Sequence, residues 1–582
     1  MNVQNSKTKI LDQLILLVLL LGIISLFFEH GSQQSPAITF LIEVVDYSII
    51  SLFILETVLR FLQAPRKLDF LRYNIFGILF LLVLTTLFVI TKISDIRLGD
   101  QDLKVLSTDI IILRNAFVGL KILGRIKRLN YFIKSITTHP AQTIVTSFLV
   151  IIVAGGILLM LPFATHGEMN PLDALFTATS AVCVTGLIVV DTASKFTVYG
   201  QIILMILIQI GGLGIMILSY FGAFVIGKRI SLEEKLALSY LLNEQDMQKI
   251  SESIIKIIFV TLTIELIGAV FLFNEFRPLF GLGPTTVLYS LFHAVSAFCN
   301  AGFALFSNSL EGFRANIPLN LVICSLIILG GISFPVIFNL IEIGLNRLRS
   351  LGKHERQRIV KLQINSKAVL LMSGILIVTG SLIIYGFEHG STLLSHNIRA
   401  QYLEAFFQSV TLRTAGFNTL NIAQLGLNTI LIMMLFMFIG GASGSTAGGI
   451  KVNTVAVLFS YLHSVFRGRE ETTLLRHSIS KDVVNRSFFV VILALAAVFL
   501  GTLILSISEA FALEEILFEV FSAFGTVGLS MGITGALSPI GKLTIIFLMF
   551  IGRIGPLTLI VALARQKSKI QIRYPEGNIL IG

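Results

Sequence analysis

A short stretch that occurs four times along the chain constrains its fold more than any other feature. Each copy starts at a serine, closes on a glycine followed by leucine or phenylalanine, and lies between two long apolar segments. The four closing glycines are 116, 114 and 112 residues apart. A fixed period indicates repeated structural units, so we expect four related units within one chain. The four copies are residues 180–187, 296–303, 409–417 and 522–529.

Each copy ends an apolar segment that is too short to cross a bilayer, which takes about 20 residues. Non-helical backbone at membrane depth is tolerated only where protein buries it or where it lines a water-filled path. Glycine allows unusual dihedral angles, and rings of backbone carbonyls can replace the hydration shell of a cation. We therefore predict four re-entrant helices with loops around a cation path; small-residue packing between helices is the alternative. The short segments lie near residues 171–182, 284–298, 399–412 and 512–523.

The composition is typical of an all-α polytopic membrane protein. Of the 582 residues, 55% are hydrophobic and 13% are charged, whereas soluble domains carry about 25% charged residues. Segment lengths predict about 12 spans. A four-helix transmembrane bundle is expected first, from apolar segments near 10–28, 38–62, 74–91 and 104–123. Four pairs of spans follow, at about 141–163 with 197–226, 250–273 with 317–345, 366–387 with 424–464, and 486–508 with 540–564.

Lysine and arginine residues predict the orientation, because they are enriched in the cytoplasmic loops of membrane proteins. Twenty of them fall in the loops 228–249, 346–367 and 467–486 and the tail 565–573, against six in the opposite loops. Both termini are therefore expected in the cytoplasm, with the four repeated stretches open to the outside. The net charge of +11 then reflects topology, and no nucleic-acid partner is expected.

No motif in the sequence indicates catalysis or a resident metal. Cys183, Cys299 and Cys324 lie in apolar segments, and neither CxxC nor H-E-x-x-H occurs. One G-x-S-x-G match, at residues 528–532, overlaps the fourth repeated stretch and lacks the strand-to-helix setting of a nucleophile elbow. The segments outside the spans are too short for a catalytic domain. We therefore expect no enzyme activity and no cofactor bound by this chain.

The four stretches, their spacing and the helix–pore helix–helix units resemble the Ktr/Trk/HKT superfamily of potassium transporters, and most closely the membrane subunit of Ktr systems. The resemblance covers about residues 140–582 and is carried by the phrases at 178–187, 413–419 and 573–575. It implies a pseudo-fourfold pore in one chain of the plasma membrane, with potassium as substrate and sodium in some members. It also implies a homodimer that sits on a cytosolic ring of nucleotide-binding regulatory subunits. The pore domain would cover residues 136–582, with repeats at about 141–226, 250–345, 366–464 and 486–564.

Under this resemblance the four loops form a filter that holds potassium. In the related plant transporters a serine at the first filter position goes with sodium selectivity, so Gly186 favours potassium, and sodium permeation stays open. The ion is expected to face backbone carbonyls beside the four glycines. The filter residues are Val184, Thr185, Gly186, Asn300, Ala301, Gly302, Thr414, Ala415, Gly416, Thr526, Val527 and Gly528.

A second special stretch, residues 440–451, lies inside the predicted span 424–464. Five glycines in twelve residues should break a helix, and the phosphate-loop pattern G-x-x-x-x-G-K-[ST] is absent. The stretch is either a flexible kink for helix packing or an intramembrane loop that obstructs the pore, and the resemblance favours the loop. The expected gate residues are Gly440, Gly441, Ser443, Gly444, Ser445, Thr446, Gly448, Gly449, Lys451 and Arg553.

Lys451 and Arg553 are ionisable groups in apolar segments, where such groups usually face a cavity or a partner. A positive charge beside a cation path raises the barrier to passage. We expect Arg553 to hydrogen-bond carbonyls of the glycine-rich stretch and to hold it closed; a charge that anchors helix packing is the alternative. Glu56 and Glu265 are intramembrane carboxylates whose partners the sequence does not identify.

Residues 1–135 resemble a voltage-sensor four-helix domain. The likeness rests on residues 46–47, Phe53 and Glu56, on residues 73–75, and on a basic series in the fourth segment. That series has a gap, and Gly77 stands where an acidic residue is expected. We therefore expect a sensor-like domain with a structural role. The alternative is a domain that gates transport in response to membrane voltage. The basic residues are Arg114, Lys121, Arg125 and Arg128.

Two transport functions compete at this point. One is channel-like potassium uptake that is regulated from the cytoplasm. The other is secondary symport, in which cation entry is coupled to sodium or protons. Few intramembrane carboxylates lie near the repeated stretches, which weighs against proton coupling.

Overall fold

A computed structural model describes residues 140–214, 250–350, 361–393 and 397–563, together with Ser51 and Lys67. The expected sensor-like domain therefore lies almost entirely outside the described residues. Backbone contacts divide the chain into two units, Met1–Ile136 with Met160–Glu168, and Thr137–Leu159 with Met169–Gly582. In the first unit, residues 160–168 form turns in which Thr165 Oγ1 donates to the carbonyl of Gly167 at 3.0 Å.

The second unit is helical in its described part, with one two-stranded hairpin. Its helices are α1 (Pro140–Leu159), α2 (Pro171–Val182), α3 (Thr192–Lys195), α4 (Val198–Leu213), α5 (Ile250–Phe280), α6 (Pro284–Phe298), α7 (Ile317–Gly331), α8 (Phe334–Ser350), α9 (Ile364–Glu388), α10 (Ile398–Thr411), α11 (Leu427–Phe438), α12 (Val452–Phe466), α13 (Lys481–Ser508), α14 (Leu513–Gly525), α15 (Pro539–Ile554) and α16 (Pro556–Leu563). Three short 3₁₀ helices cover Glu311–Phe313, Ile422–Gln424 and Thr534–Ala536. The strands β1 (Thr473–Leu474) and β2 (His477–Ser478) pair antiparallel.

Four helices, α1, α5, α9 and α13, are long and apolar enough to cross a membrane. Among the described residues the number of possible spans rises to six if each of two bent helix pairs is one span. Large apolar side chains stay exposed on these helices, such as Phe259 at 71% and Ile507 at 79%. Extensive exposed apolar surface of this kind is typical of contact with lipid. Each of these four helices is the first member of a predicted pair of spans, so the first member of each pair is one continuous helix.

Four short helices, α2, α6, α10 and α14, coincide with the four short apolar segments singled out in the sequence. Proline opens α2 and α6, where its missing N–H costs no helical hydrogen bond. Asn397 caps α10 by accepting from the N–H of Ala400 at 2.9 Å. Each short helix carries at least one fully buried phenylalanine, so the core of this unit surrounds them. These side chains are Phe176, Phe292, Phe298, Phe407, Phe518 and Phe524.

In two of the four predicted pairs the second member is bent at a break between two helices. The predicted spans 317–345 and 540–564 are helix pairs bent by 106° and 94°. In the second pair Gly555 has φ 91° and precedes Pro556, which cannot donate the next helical hydrogen bond. In the first pair Pro335 follows the break in the same way. Hydropathy alone does not register these breaks.

A buried carboxylate fixes the end of α9. Glu388 is 1% exposed and accepts four hydrogen bonds. The donors belong to the turn after α9 and to the start of α11, so one side chain joins two elements. They are Ser391 Oγ at 2.6 Å, Thr392 Oγ1 at 2.6 Å, the N–H of Gly426 at 2.9 Å and Thr429 Oγ1 at 2.5 Å.

Replacing Glu388 by alanine should lower the free energy of unfolding by about 3 kcal/mol, because it leaves several buried donors without an acceptor. Unfolding of purified protein in detergent micelles measures the change. Glu471→Ala removes an exposed carboxylate and is the control. Equal stability of the two variants would contradict the anchoring role of Glu388.

Candidate functional site

A loop with the same backbone conformation follows each short helix. We name these loops L1 (183–187), L2 (299–303), L3 (412–417) and L4 (526–529). In each, the closing glycine and the residue two positions before it have positive φ, a conformation that L-amino acids rarely adopt. The φ values are 57° and 91° for Val184 and Gly186, 59° and 68° for Asn300 and Gly302, 71° and 81° for Thr414 and Gly416, and 51° and 93° for Thr526 and Gly528.

Hydroxyl groups near the end of each short helix hold the loops in this conformation. In L1 and L4 a serine hydroxyl accepts from the N–H of the loop glycine, while in L2 and L3 a hydroxyl donates to the carbonyl that follows the glycine. L3 is one residue longer than L1 and L2, and its hydroxyl donor is a threonine instead of a serine. The pairs are Gly186 N with Ser180 Oγ at 3.0 Å, Gly528 N with Ser522 Oγ at 3.1 Å, Ser296 Oγ with Phe303 O at 2.8 Å, and Thr411 Oγ1 with Phe417 O at 2.6 Å.

The four loops form a closed ring. Each loop glycine lies against the carbonyl that precedes the glycine of the next loop, and the glycine of L4 lies against L1. A Cβ added to Gly186 would lie 2.5 Å from the oxygen of Ala301, one on Gly302 2.8 Å from that of Ala415, one on Gly416 2.5 Å from that of Val527, and one on Gly528 in contact with that of Thr185. The ring therefore brings the predicted filter residues of all four loops together, and each glycine position excludes a side chain.

Polar contacts join the segments that follow neighbouring loops of the ring. Ser307 Oγ donates to Asp191 Oδ2 at 2.7 Å, and Asn418 Nδ2 donates to Glu311 Oε1 at 2.9 Å. Partial burial acts to raise the pKa of Asp191, but hydrogen bonds from Ser307, Ser194 and nearby N–H groups outweigh it and hold that pKa below its ordinary value.

The glycine-rich stretch forms a loop between α11 and α12, residues 439–451, and does not continue the helix. The N–H of Gly440 donates to the carbonyl of Ile450 at 2.8 Å, which closes the base of the loop. Gly444 and Gly449 have φ 77° and 63°. Because this segment is a loop, the predicted span 424–464 is two short helices with irregular backbone between them.

This glycine-rich loop is hydrogen-bonded to the end of α7. The N–H of Ala442 donates to the carbonyl of Gly331 at 2.9 Å, and the N–H of Thr446 to that of Gly330 at 3.2 Å. The hydroxyl of Thr446 donates to the carbonyls of Gly330 at 2.9 Å and Phe298 at 3.2 Å. Phe298 ends the short helix before L2, so the glycine-rich loop lies directly against the base of the ring.

Arg553 links the glycine-rich loop to two further helices. Its Nη1 donates to the carbonyl of Thr446, as predicted, and its Nη2 donates to the carbonyls of Gly211 and, at 3.3 Å, Gly212. The residue itself lies on α15, where the N–H of Gly449 donates to the neighbouring carbonyl of Gly552 at 3.2 Å. One guanidinium therefore joins α15, the glycine-rich loop and the end of α4.

The other ionisable groups singled out in the sequence contact other parts of the protein or lie outside the described residues. Lys451 Nζ donates to the carbonyl of Ala447 at 2.5 Å, within its own loop. Glu265, 2% exposed on α5, accepts from Cys299 Sγ at 3.8 Å. Glu56, Arg114, Lys121, Arg125 and Arg128 lie outside the described residues.

The glycines that provide the acceptors of these contacts were not predicted from the sequence. Gly211, Gly330 and Gly552 each lie where a Cβ would touch a carbonyl at the end of a short helix. Each belongs to a helix that ends within three residues of it. The sequence shows a glycine near the end of every second apolar segment. These glycines could have indicated where the helix ends contact the short helices.

Comparisons with known proteins agree with this architecture. A family model described as "TrkH: Cation transport protein" matches residues 110–571. The Ktr system potassium uptake protein B of Bacillus subtilis is 40% identical over 451 residues, which are 77% of this chain and 98% of that protein. The potassium/sodium uptake protein NtpJ of Enterococcus hirae is 38% identical over 452 residues, 76% of this chain and 97% of that protein.

A solved structure shares the fold. The crystal structure of the potassium transporter TrkH from Vibrio parahaemolyticus matches with a TM-score of 0.60 and 19% sequence identity, over 84% of this chain and 98% of that one. The family model covers most of the chain, and relatives match over nearly their whole length. The protein belongs to the TrkH family of cation transport proteins.

Proposed function

We propose that this protein takes up potassium across the plasma membrane through one path that four quasi-equivalent repeats of a single chain surround. The closed ring of L1 to L4 is the observation that best supports this proposal. Four loops with the same pattern of positive φ close on one another, and in this proposal their backbone carbonyls face a common axis, an arrangement that can replace the hydration shell of a cation. The relatives named as potassium uptake proteins support potassium as the substrate.

In the proposed filter the carbonyls before the four glycines act as ligands, and the glycines let neighbouring loops approach each other. Glycine at all four positions, including Gly186, favours potassium. A sodium-permeable or sodium-coupled transporter is the second candidate, because one relative is named a potassium/sodium uptake protein.

The glycine-rich loop acts as the gate in this proposal. It lies against the base of the ring through the hydroxyl of Thr446, and its small residues allow rearrangement at little steric cost. Arg553 latches the loop, because its two hydrogen-bonding arms reach different elements. Its positive charge also raises the barrier for a cation at the same level.

The proposal extends to partners and orientation. Ktr systems, to which the relative from Bacillus subtilis belongs by name, suggest a membrane subunit that works with other subunits. We infer a homodimer with both termini in the cytoplasm, on a cytosolic ring of nucleotide-binding regulatory subunits. Residues 1–135 form a sensor-like domain that is structural in this proposal.

Flux into liposomes tests the proposal. Purified protein is reconstituted, and uptake of potassium and of sodium is compared at a clamped membrane potential. We expect uptake of potassium well above that of protein-free liposomes and a clear preference over sodium. Equal or greater sodium flux would support the second candidate, and absence of flux for both ions would contradict a conducting path.

A further inference from the structure

Two buried hydroxyl groups at the base of the ring have no hydrogen-bond partner among the described residues. Thr414 is 0% exposed and Thr526 is 1% exposed, and Oγ1 of each lacks a partner. Both residues stand two positions before a loop glycine, in the left-handed conformation. Buried polar groups are almost always hydrogen-bonded, so two unpartnered hydroxyls at equivalent positions are unusual. Their oxygen lone pairs are free to bind a ligand.

Both side chains meet the glycine-rich loop. A Cβ on Gly440 would lie 3.3 Å from Cγ2 of Thr414, and a Cβ on Gly448 would lie 3.0 Å from Cβ of Thr526 and in contact with its Oγ1. Gly440 and Gly448 are themselves neighbours, since the carbonyl of Gly448 lies against Gly440. The two threonines therefore lie between the ring and the glycine-rich loop.

The equivalent residues of the other two loops differ in chemistry. The amide of Asn300 is satisfied when its Nδ2 donates to the carbonyls of Ala297 at 3.0 Å and Ile327 at 3.2 Å. In that orientation Oδ1 takes the position that faces Gly331, at the level of the glycine-rich loop. Val184 has only methyl groups at this position. The residues two positions before the four loop glycines thus provide three side-chain oxygens, from Thr414, Thr526 and Asn300, and one apolar side chain, that of Val184.

We propose that the side-chain oxygens of Thr414, Thr526 and Asn300 form an inner binding site for a partly dehydrated monovalent cation, below the ring of carbonyls. The inference rests on the proposed function and adds a site to it. Its ligands are neutral oxygens, which suit a monovalent ion, whereas calcium and magnesium sites usually include carboxylates. The glycine-rich loop covers the hydroxyl of Thr526 and the methyl group of Thr414, and its withdrawal would open the site to an ion that leaves the carbonyls.

Isosteric substitutions test the site. Thr526→Val and Thr414→Val remove a hydroxyl and keep the shape of the side chain. Each should raise the potassium concentration for half-maximal flux about fivefold, while Thr526→Ser retains the oxygen and should raise it less than Thr526→Val does. Thr261→Val is the matched control, because Thr261 is also buried with an unpartnered Oγ1 but lies on α5. Conversely, Val184→Thr should lower the half-saturating concentration.

Thallium binding gives a readout that does not depend on flux. Crystals of the wild-type protein soaked in thallium should show anomalous density at the base of the ring, and crystals of the Thr414→Val/Thr526→Val double variant should lose it. If the wild type conducts potassium but the threonine variants behave like Thr261→Val in flux and bind thallium normally, the inner site is wrong and the filter stands. If the wild type conducts nothing, the proposed function fails, while thallium density still decides whether the site exists.

Discussion

Replacing Arg553 by glutamine is expected to raise potassium flux through the reconstituted protein about tenfold. A hydrogen bond from a charged group contributes about 1.5–3 kcal/mol, and about 1.4 kcal/mol shifts an equilibrium tenfold. Arg553 bonds the carbonyls of Thr446 and Gly211, so its loss weakens the closed position of the glycine-rich loop relative to an open one. Flux at saturating potassium, normalised to reconstituted protein, measures the effect.

The loop should open in this variant without unfolding, because its other contacts stay in place. The N–H groups of Ala442 and Thr446 still donate to the carbonyls of Gly331 and Gly330. Arg553→Lys keeps the positive charge, but a single ammonium group cannot donate to two elements as the two terminal nitrogens of the guanidinium do. This variant should therefore give an intermediate flux. The partial effect would separate the geometry of the guanidinium from its charge.

Lys542→Gln is the control for the loss of a positive charge. Lys542 lies on the same helix as Arg553, but its Nζ pairs with Asp173 Oδ1 at 2.7 Å, away from the glycine-rich loop. This variant should conduct like the wild type. Unchanged or lower flux in Arg553→Gln, or an equal rise in Lys542→Gln, would contradict the latch.

The sequence predicted the short helices because two independent signals coincide there. Each apolar segment is too short to span, and each ends in the same glycine-terminated phrase. The contact of Arg553 with the glycine-rich loop could also be predicted, because a buried cation in an apolar segment needs acceptors and broken helices expose carbonyls. The prediction of this partner of Arg553 therefore rests on the need of a buried charge for hydrogen-bond acceptors and not on a sequence motif.

Other features depend on tertiary contacts that no local pattern contains. The breaks after Gly331 and Gly555 lie inside continuous apolar runs, so hydropathy alone does not locate them. The order of the ring, in which each glycine meets the carbonyl of the next loop, joins residues more than 100 positions apart. One partner of Glu265 is a cysteine at the start of L2, and a lone thiol in an apolar segment gives no signal of that contact.

Replacing Gly528 by alanine should reduce potassium flux about a hundredfold. The added Cβ would touch the carbonyl oxygen of Thr185 and lie 3.0 Å from the Cα of Gly186, both rigid backbone of the neighbouring loop. Left-handed backbone at a non-glycine residue adds strain of about 1–3 kcal/mol. Since about 1.4 kcal/mol changes a rate tenfold, the combined collision and strain account for the expected size of the effect.

Gly532→Ala separates the collision from the strain. Gly532 follows L4 and has φ 100°, but a Cβ there meets no atom within 4 Å. The control variant should therefore keep most of its flux, and both variants should elute as folded protein in size-exclusion chromatography. Because the four loops close on one another, a displaced carbonyl of Thr185 also disturbs L1, so Gly528→Ala should lose the preference for potassium over sodium in its residual flux. Wild-type flux and selectivity in Gly528→Ala, or equal losses in both variants, would contradict a ring in which each loop positions the carbonyl of its neighbour.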